Sequence, residues 1–511
     1  MICRVLCFLA VLVVICLGVA SYMLYALSLY AEIMMTELHY HSPPIDDLGK
    51  NLSVPNSSTS GNATRKRNAT GSDSYIHFGS FTPYSYVRGN FSASNQAPRG
   101  CTLKQTYMII QHGVVLPNLL TTMRVRYRLS SLQSRIVKAF DEGKGELTHD
   151  EINLLSTWST HNLTLAGKTL TEEGERDLIG LGKRFAAAFP YIITEGQEKE
   201  NSSLEFFSAN YQYIVQSGTA FISGLLGGTE EVPMVIKKQK KDVRLEFPDL
   251  CYKYMKTVAT NTSERTVAYR PFKTSPEMME VFDRVATRLG ITLTTQDIPT
   301  MYDMCRYLRA LHPNATSPWC VPFTVEDLKV LEYMDDLKSY SRHGYRHPIN
   351  YEQACPVLVE VIQSFRDTKS DKGPKARFFF VKAGVIPKVL AYMGLFKDTP
   401  PLGINATVPD RLWRASNFSG FASNLGFFIF KCGSNNSSDT RWWVSATINE
   451  KPLLLPKCKT SLGCLWNTFL KGNISQEVCN FDAVCENRGS LGVYARSRFW
   501  EQLDDLKNTE L

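Results

Sequence analysis

The chain has 511 residues, 44% hydrophobic and 21% charged, with a formal net charge of +8. This length and apolar content are sufficient for a large buried core in one large or two intermediate domains. The positive charge is spread thinly along the sequence, so it does not indicate a nucleic-acid partner.

The N-terminal segment predicts entry into the secretory pathway. Residues 5–30 carry no charged side chain, and a helix of that length, at about 1.5 Å per residue, spans the hydrocarbon core of a bilayer. Residues 1–32 are either an uncleaved signal anchor or a long signal peptide cut after Gly18-Val19-Ala20, and their length favours the anchor. Arg4 favours a cytoplasmic N-terminus. We therefore expect a lumenal or extracellular protein that is membrane-anchored, or secreted if the segment is cleaved.

Glycosylation sequons are frequent. The fourteen Asn-x-Ser/Thr acceptors are Asn51, Asn56, Asn62, Asn68, Asn90, Asn162, Asn201, Asn261, Asn314, Asn405, Asn417, Asn435, Asn436 and Asn473. Such a density is typical of a secreted chain, although a single sequon is weak support. Residues 33–83 include the first four and are rich in Ser, Asn and Gly up to about residue 75, so they predict a glycosylated flexible stalk.

Ten of the thirteen cysteines lie beyond the apolar segment, and an even number suits a disulfide framework. The candidates are Cys101, Cys251, Cys305, Cys320, Cys355, Cys432, Cys458, Cys464, Cys479 and Cys485. They show no paired Cys-x-x-Cys spacing, so no metal site is expected. Cys479 and Cys485 are near enough in sequence to close a small loop, whereas the other pairings do not follow from the sequence.

Residues 84–500 alternate predicted strands and helices as an α/β domain does. An apolar run at residues 106–110 predicts a buried parallel strand that leads into His112. Thr171, followed by two glutamates, predicts the start of an amphipathic helix. Further strands are predicted at residues 211–215 and 377–381, and a strand pair at 425–430 and 441–448. Residues 225–370 are mostly helical, with one helix capped by Thr324, and predict a separate cap.

The turn after the first strand reads Gln111-His112-Gly113-Val114-Val115-Leu116-Pro117. It resembles the signature of the histidine acid phosphatases, Arg-His-Gly-x-Arg-x-Pro, with both arginines replaced. Residues 317–320, 326–333, 394–398, 422–425 and 449–451 are similar to one branch, the multiple inositol polyphosphate phosphatases. The resemblance covers about residues 100 to 490. It implies a phosphoglycerate-mutase-like α/β sheet core with a mostly helical cap, and no cofactor.

In that family the signature histidine attacks phosphorus, three arginines and a second histidine bind phosphate, and an acid beside that histidine protonates the leaving oxygen. The resemblance puts His112 at the nucleophile position, Gln111, Val115 and Tyr213 at the arginine positions, Lys382 at the second histidine and Gly384 at the proton donor. Guanidinium forks match the oxygens and charge of a phosphate. Loss of one such donor costs about 10²–10³ in rate, and loss of a general acid about 10²–10⁴.

These substitutions predict a catalytically inactive member of this family, which the sequons and the N-terminal segment make a secretory-pathway glycoprotein. We expect it to bind an inositol polyphosphate or another polyanion, or a protein partner that the sequence does not identify. Two alternatives stay open: a weakly active phosphomonoesterase that uses His112, and a structural or adhesive surface glycoprotein. A second motif, Arg342-His343-Gly344-Tyr345-Arg346-His347-Pro348, matches the signature letter for letter. It follows a charged helix and no buried strand, so it predicts a surface or rim turn. The basic residues 237–241 predict a solvated face, or a rim that attracts polyanions.

Overall fold

One central strand carries parallel pairing on one side and antiparallel pairing on the other. The computed structural model describes residues 77–91, 98–117, 119–159, 168–197, 204–228, 235–236, 242–261, 263, 269–404, 407–433, 441–473 and 479–487. Its strands are β1 (Cys101–Gln111), β2 (Leu204–Ser208), β3 (Val235–Ile236), β4 (Ala376–Val381), β5 (Asn424–Cys432), β6 (Arg441–Ile448), β7 (Lys451–Leu453) and β8 (Cys464–Leu465). The described strands form one sheet in the order β3-β2-β4-β1-β5-β6-β7, with β8 beside β6. β1 is parallel to β4 and antiparallel to β5.

Helices occur both before and after β4 along the described part of the chain. They are α1 (Tyr84–Val87), α2 (Leu119–Asp141), α3 (His149–Ser156), α4 (Glu172–Ala188), α5 (Pro190–Gln197), α6 (Gln212–Leu226), α7 (Val243–Leu250), α8 (Tyr252–Tyr254), α9 (Pro276–Leu289), α10 (Asp297–Leu311), α11 (Val325–His343), α12 (Pro348–Glu352), α13 (Cys355–Lys369), α14 (Val385–Tyr392), α15 (Trp466–Asn473) and α16 (Phe481–Val484). Short 3-10 helices lie at Gly79–Phe81, Pro271–Thr274, Pro318–Cys320 and Ala415–Asn417, and a π-helix at Met255–Ala259.

Four parallel strands, β3, β2, β4 and β1, lie side by side in the described sheet, and β4 and β1 end at the same edge. β4 has β2 and β1 parallel to it on either side, and Gln111 is in register with Val381. The predicted strand at 211–215 is wrong, because β2 is Leu204–Ser208 and α6 begins at Gln212. Ile214, Phe221 and Leu225 recur at helical spacing and are all buried, which a strand at this position would not achieve.

Local sequence signals account for several element boundaries. The Thr171 hydroxyl accepts from the amide of Gly174 at 3.1 Å and begins α4, as predicted. Thr324 and Asp327 form the predicted capping box at the start of α11. The predicted strand pair is confirmed as β5 and β6, which are antiparallel. Most of the described residues between 242 and 369 are helical, whereas their separation as a cap stays a prediction.

All described residues belong to one compact unit. Phe78 and Phe81, which the sequence assigned to the stalk, are buried in the core. Residues 1–76 lie outside the described residues, as do the basic residues 237–241 and the sequons other than Asn90, Asn261, Asn314, Asn417 and Asn473. No helix among the described residues is long and apolar enough to cross a bilayer.

Five disulfides use all ten predicted cysteines. The pairs are Cys101–Cys432, Cys251–Cys485, Cys305–Cys320, Cys355–Cys479 and Cys458–Cys464. The small loop suggested for Cys479 and Cys485 is therefore wrong. Instead, both residues tie the segment 479–487 to the helical region, because Cys355 begins α13 and Cys251 directly follows α7.

Candidate active site

His112 lies immediately after β1, at the edge where the parallel strands end. Its amide donates to the Val381 carbonyl at 3.2 Å, and its carbonyl accepts from the Ala422 amide at 2.9 Å. The buried imidazole places Nδ1 2.8 Å from the Gly113 carbonyl oxygen. Because a carbonyl only accepts, Nδ1 carries the hydrogen and Nε2 holds the lone pair of the neutral ring. Tyr213 contacts the imidazole edge-on, with ring centroids 4.9 Å apart.

The environment of His112 keeps the imidazole neutral. Burial is the largest cause and lowers the pKa of His112 to about 4, against the opposing effect of the Gly113 hydrogen bond. The ammonium groups of Lys168 and Lys382 lower this pKa further. At neutral pH the ring is therefore a lone-pair donor and does not supply positive charge.

The His-Gly turn requires glycine for close packing. A Cβ on Gly113 would lie 2.6 Å from the Gly174 carbonyl oxygen, so the turn and the first turn of α4 touch backbone to backbone. The Gly113 amide donates to the Ser217 hydroxyl at 3.1 Å, and that hydroxyl donates to the Tyr213 carbonyl at 2.7 Å. The signature turn is thus held by α4 and α6.

The two signature arginine positions offer no cation. Gln111 is buried, and its amide nitrogen makes a long hydrogen bond of 3.4 Å to the Ser419 carbonyl. Val115 is also buried and lines an apolar pocket with Phe81, Tyr307 and Phe421. Neither side chain carries the charge or the paired donors with which arginine binds phosphate.

Lys382, directly after β4, is engaged by two residues that the sequence did not single out for this site. Its Nζ lies 2.6 Å from Asp249 Oδ2 and 2.6 Å from the Tyr211 hydroxyl oxygen. It also lies 3.8 Å from the centroid of the Tyr211 ring. Burial lowers the pKa of Lys382, but the Asp249 charge and the Tyr211 hydroxyl outweigh it and raise the pKa above its ordinary value. The ammonium is therefore charged and already paired.

Gly384 adopts a left-handed conformation, with φ +89°, at the start of α14. A Cβ there would lie 2.7 Å from Cε1 of His343. The second motif does follow a helix, since His343 ends α11. The predicted surface or rim turn is found at residues 344–347, where Arg346 is exposed, whereas His343 belongs to α11 and its ring packs against Gly384.

Three of the predicted site residues are joined by contacts. Tyr213, in the first turn of α6, contacts His112. The centroid of its ring lies 6.0 Å from the centroid of the Tyr211 ring, and the Tyr211 hydroxyl binds Lys382. The sequence missed Asp249, Tyr211, Lys168 and the position of His343, since no local pattern distinguishes them. The described residues hold no cluster of three His, Cys, Asp or Glu side chains arranged for a metal.

The profile of the histidine phosphatase superfamily, branch 2, matches residues 102–448. Multiple inositol polyphosphate phosphatase 1 of Gallus gallus is 28% identical over 416 residues, which cover 78% of this chain and 87% of that relative.

Two solved structures share the fold. The phytase from D. castellii has a TM-score of 0.65 at 16% identity and covers 82% of this chain and 88% of its own. The Bifidobacterium longum multiple inositol polyphosphate phosphatase in complex with inositol hexasulfate has a TM-score of 0.55 at 14% identity. The match covers 75% of this chain and 94% of that structure's chain. With residues 102–448 matched, the chain belongs to branch 2 of the histidine phosphatase superfamily.

Proposed function

We propose that this chain is a catalytically inactive member of its family that acts as a secretory-pathway glycoprotein. The observation that carries the proposal is the pairing of Lys382 with Asp249, 2.6 Å apart. Lys382 is the cation that this sequence has in place of the family's second histidine, and its charge is offset within the protein by Asp249. A phosphoryl group at His112 would meet little uncompensated positive charge from these positions, although stabilisation of that charge is the main task in phosphoryl transfer.

The missing proton donor supports the same proposal. Gly384 has no ionisable group, and the nearest ring, that of His343, cannot replace it as an acid. Burial is the largest cause that lowers the pKa of His343 well below its ordinary value, and Lys388 and Arg342 lower it further. A histidine with such a pKa is neutral and has no acidic proton to give near neutral pH.

His112 itself is the observation that favours the alternative of a weak enzyme. Its Nδ1–H is fixed by the Gly113 carbonyl, which leaves Nε2 available as a nucleophile. A nucleophile without cationic donors and without an acid retains only a small part of the family's rate, because each missing group costs about 10²–10⁴.

Two features support a secretory glycoprotein. Ten cysteines in five disulfides fit an oxidising compartment. Asn90, Asn314 and Asn417 are exposed, as acceptors of glycans must be. The choice between a membrane anchor and a secreted form depends on residues 1–32.

A polyanion is the ligand class we propose for a binding role, and the ammonium of Lys168, which acts on His112, favours it, whereas the charge of Lys382 is taken by Asp249. The B. longum relative is in complex with inositol hexasulfate. The structural or adhesive role is the competing proposal, favoured by the pairing of Lys382 and by the apolar lining beside Val115.

Phosphatase assays on the protein purified from animal cells test the proposal. We expect no release of phosphate from an aryl phosphate or inositol hexakisphosphate above background, at acid or neutral pH. The Gallus gallus relative, assayed in parallel, is the positive control. Turnover that disappears in His112→Ala would establish the weak enzyme. Turnover that disappears only in His343→Ala would make the second motif the catalytic one.

A further inference from the structure

We propose that Asp249 occupies the place of a ligand's anionic group at Lys382 and so excludes phosphate from this pocket. This inference rests on the proposed function and extends it to the selectivity of the same site. Asp249 is a specificity-determining residue in this view, because it decides which anions reach the ammonium.

The contact has the geometry that a phosphate oxygen would adopt. An ammonium donates charge-assisted hydrogen bonds of about 2.7–2.9 Å to phosphate or carboxylate oxygens alike. Asp249 Oδ2 lies 2.6 Å from Nζ of Lys382, and the Tyr211 hydroxyl oxygen takes a second position at 2.6 Å. The Tyr211 ring covers the ammonium as well. An incoming anion must therefore compete with the carboxylate for the charge of Lys382, because the two contacts already engage two of the three N–H donors of the ammonium.

The segment that carries Asp249 is anchored at both ends of α7, which is kinked at Glu246 between the two anchors. At the first turn, Arg244 binds Asp242 at 2.6 Å and Glu360 at 3.1 Å. Its guanidinium carbon also lies 4.7 Å from the centroid of the Phe207 ring, in the core sheet. After the last turn, Cys251 is bonded to Cys485. Two anchors of this kind keep the carboxylate close to Lys382 without further ordering.

An anchored carboxylate competes more strongly than a free one. Its effective concentration at Lys382 is in the millimolar range or above, as for groups joined by short tethers. Free phosphate competes with this effective concentration of carboxylate for the same ammonium. We therefore expect the wild-type protein to bind inorganic phosphate more weakly than a variant that lacks this carboxylate.

The test compares Asp249→Asn with the wild-type protein. Asparagine keeps the shape and one oxygen of the side chain but removes the negative charge. The ammonium of Lys382 is then left without its counter-charge and can pair with an anion. Inorganic phosphate and inositol hexasulfate are titrated by calorimetry, and the shift of the melting temperature with each ligand is recorded. Asp249→Ser serves the same comparison if the asparagine variant does not fold.

Glu205→Gln is the matched control. It neutralises the partner of Arg377, 2.7 Å away on β4, the strand that leads to Lys382, but outside the site. The double variant Asp249→Asn with Lys382→Gln reports whether any gain depends on the ammonium.

We expect Asp249→Asn to bind either anion about tenfold or more tightly than the wild type. Glu205→Gln and the double variant should bind as the wild type does. Equal affinity of Asp249→Asn and wild type overturns the inference, and so does micromolar phosphate binding by the wild type. Turnover by the wild type would contradict the proposed function alone, because the affinity comparison decides the role of Asp249 separately.

Discussion

The imidazole of His343 lies directly in front of Gly384. A Cβ at residue 384 would come within 2.7 Å of Cε1 and 3.1 Å of Nδ1 of that ring. The position that the resemblance assigns to the family's proton donor is thus blocked by a side chain from the end of α11. Restoring an acid there by a single substitution would force the two residues apart.

Gly384→Ala should lower the free energy of unfolding by about 2–4 kcal/mol, from the left-handed conformation and the contact together. Gly394→Ala is the control, because Gly394 has φ +75° and nothing within 4 Å of its Cβ position. That variant should lose about 1 kcal/mol, from conformation alone. Denaturant unfolding measures both values. Equal losses would show that the His343 contact contributes nothing. In a His343→Ala background, the loss caused by Gly384→Ala should fall to that caused by Gly394→Ala.

Removing one partner of the Lys382–Asp249 pair should destabilise the protein by about 2 kcal/mol, because the other charge is left largely buried. Lys382→Met with Asp249→Ala should lose less than the sum, with a coupling of about 1–2 kcal/mol in a double-mutant cycle. The exposed pair Lys253–Glu486, 3.1 Å apart, is the control and should couple by less than about 0.5 kcal/mol. A coupling near zero for Lys382 and Asp249 would argue against a formed pair.

His112 should make the protein sensitive to acid. Its pKa is lowered to about 4 in the folded state, so protonation favours the unfolded chain. The stability is complete above the unfolded value of about 6.5 and falls as pH falls toward 4. At pH 4.5 the loss from this group is about 2–3 kcal/mol. Urea unfolding at pH 7 and 4.5 should show a smaller acid loss in His112→Asn, and an unchanged loss would contradict the lowered pKa.

The disulfide that joins the start of β1 to the end of β5 should stabilise the protein more than the disulfide that closes the shortest loop. Cys101–Cys432 spans a sequence separation of 331, and Cys458–Cys464 a separation of 6. Because loop closure entropy grows with separation, replacing the first pair by serine should cost at least about 1–2 kcal/mol more than replacing the second. Melting temperatures of the two double variants make the comparison. A larger drop for the short loop would contradict the entropic argument.

Local signals were sufficient for much of the fold. The caps at Thr171 and Thr324, the apolar runs of β1 and β4 and the hairpin of β5 and β6 all follow from short stretches of sequence. The strand predicted at 211–215 failed because its β-branched and aromatic residues suit a strand locally. The helical spacing that contradicts this extends to Leu225 and outweighs local propensity.

The site was only partly accessible from sequence. The resemblance located His112, Tyr213 and Lys382, which the structure joins by contacts. It did not identify Asp249 as the partner of Lys382, since the two are separated by 133 residues and meet only in the tertiary fold. The packing of His343 on Gly384 depends on how α11 ends above α14, which no local pattern encodes.

The signature turn is held in shape by groups outside the phosphate-contact positions. The Tyr307 hydroxyl donates to the Val115 carbonyl at 2.9 Å, the Thr171 amide to the Val114 carbonyl at 2.9 Å, and Ser217 accepts from Gly113. Each of these hydrogen bonds uses backbone atoms of the turn, so it does not depend on which side chains stand at residues 111 and 115. Substitutions at residues 111 and 115 can therefore change what the turn binds without removing the hydrogen bonds that fix its shape.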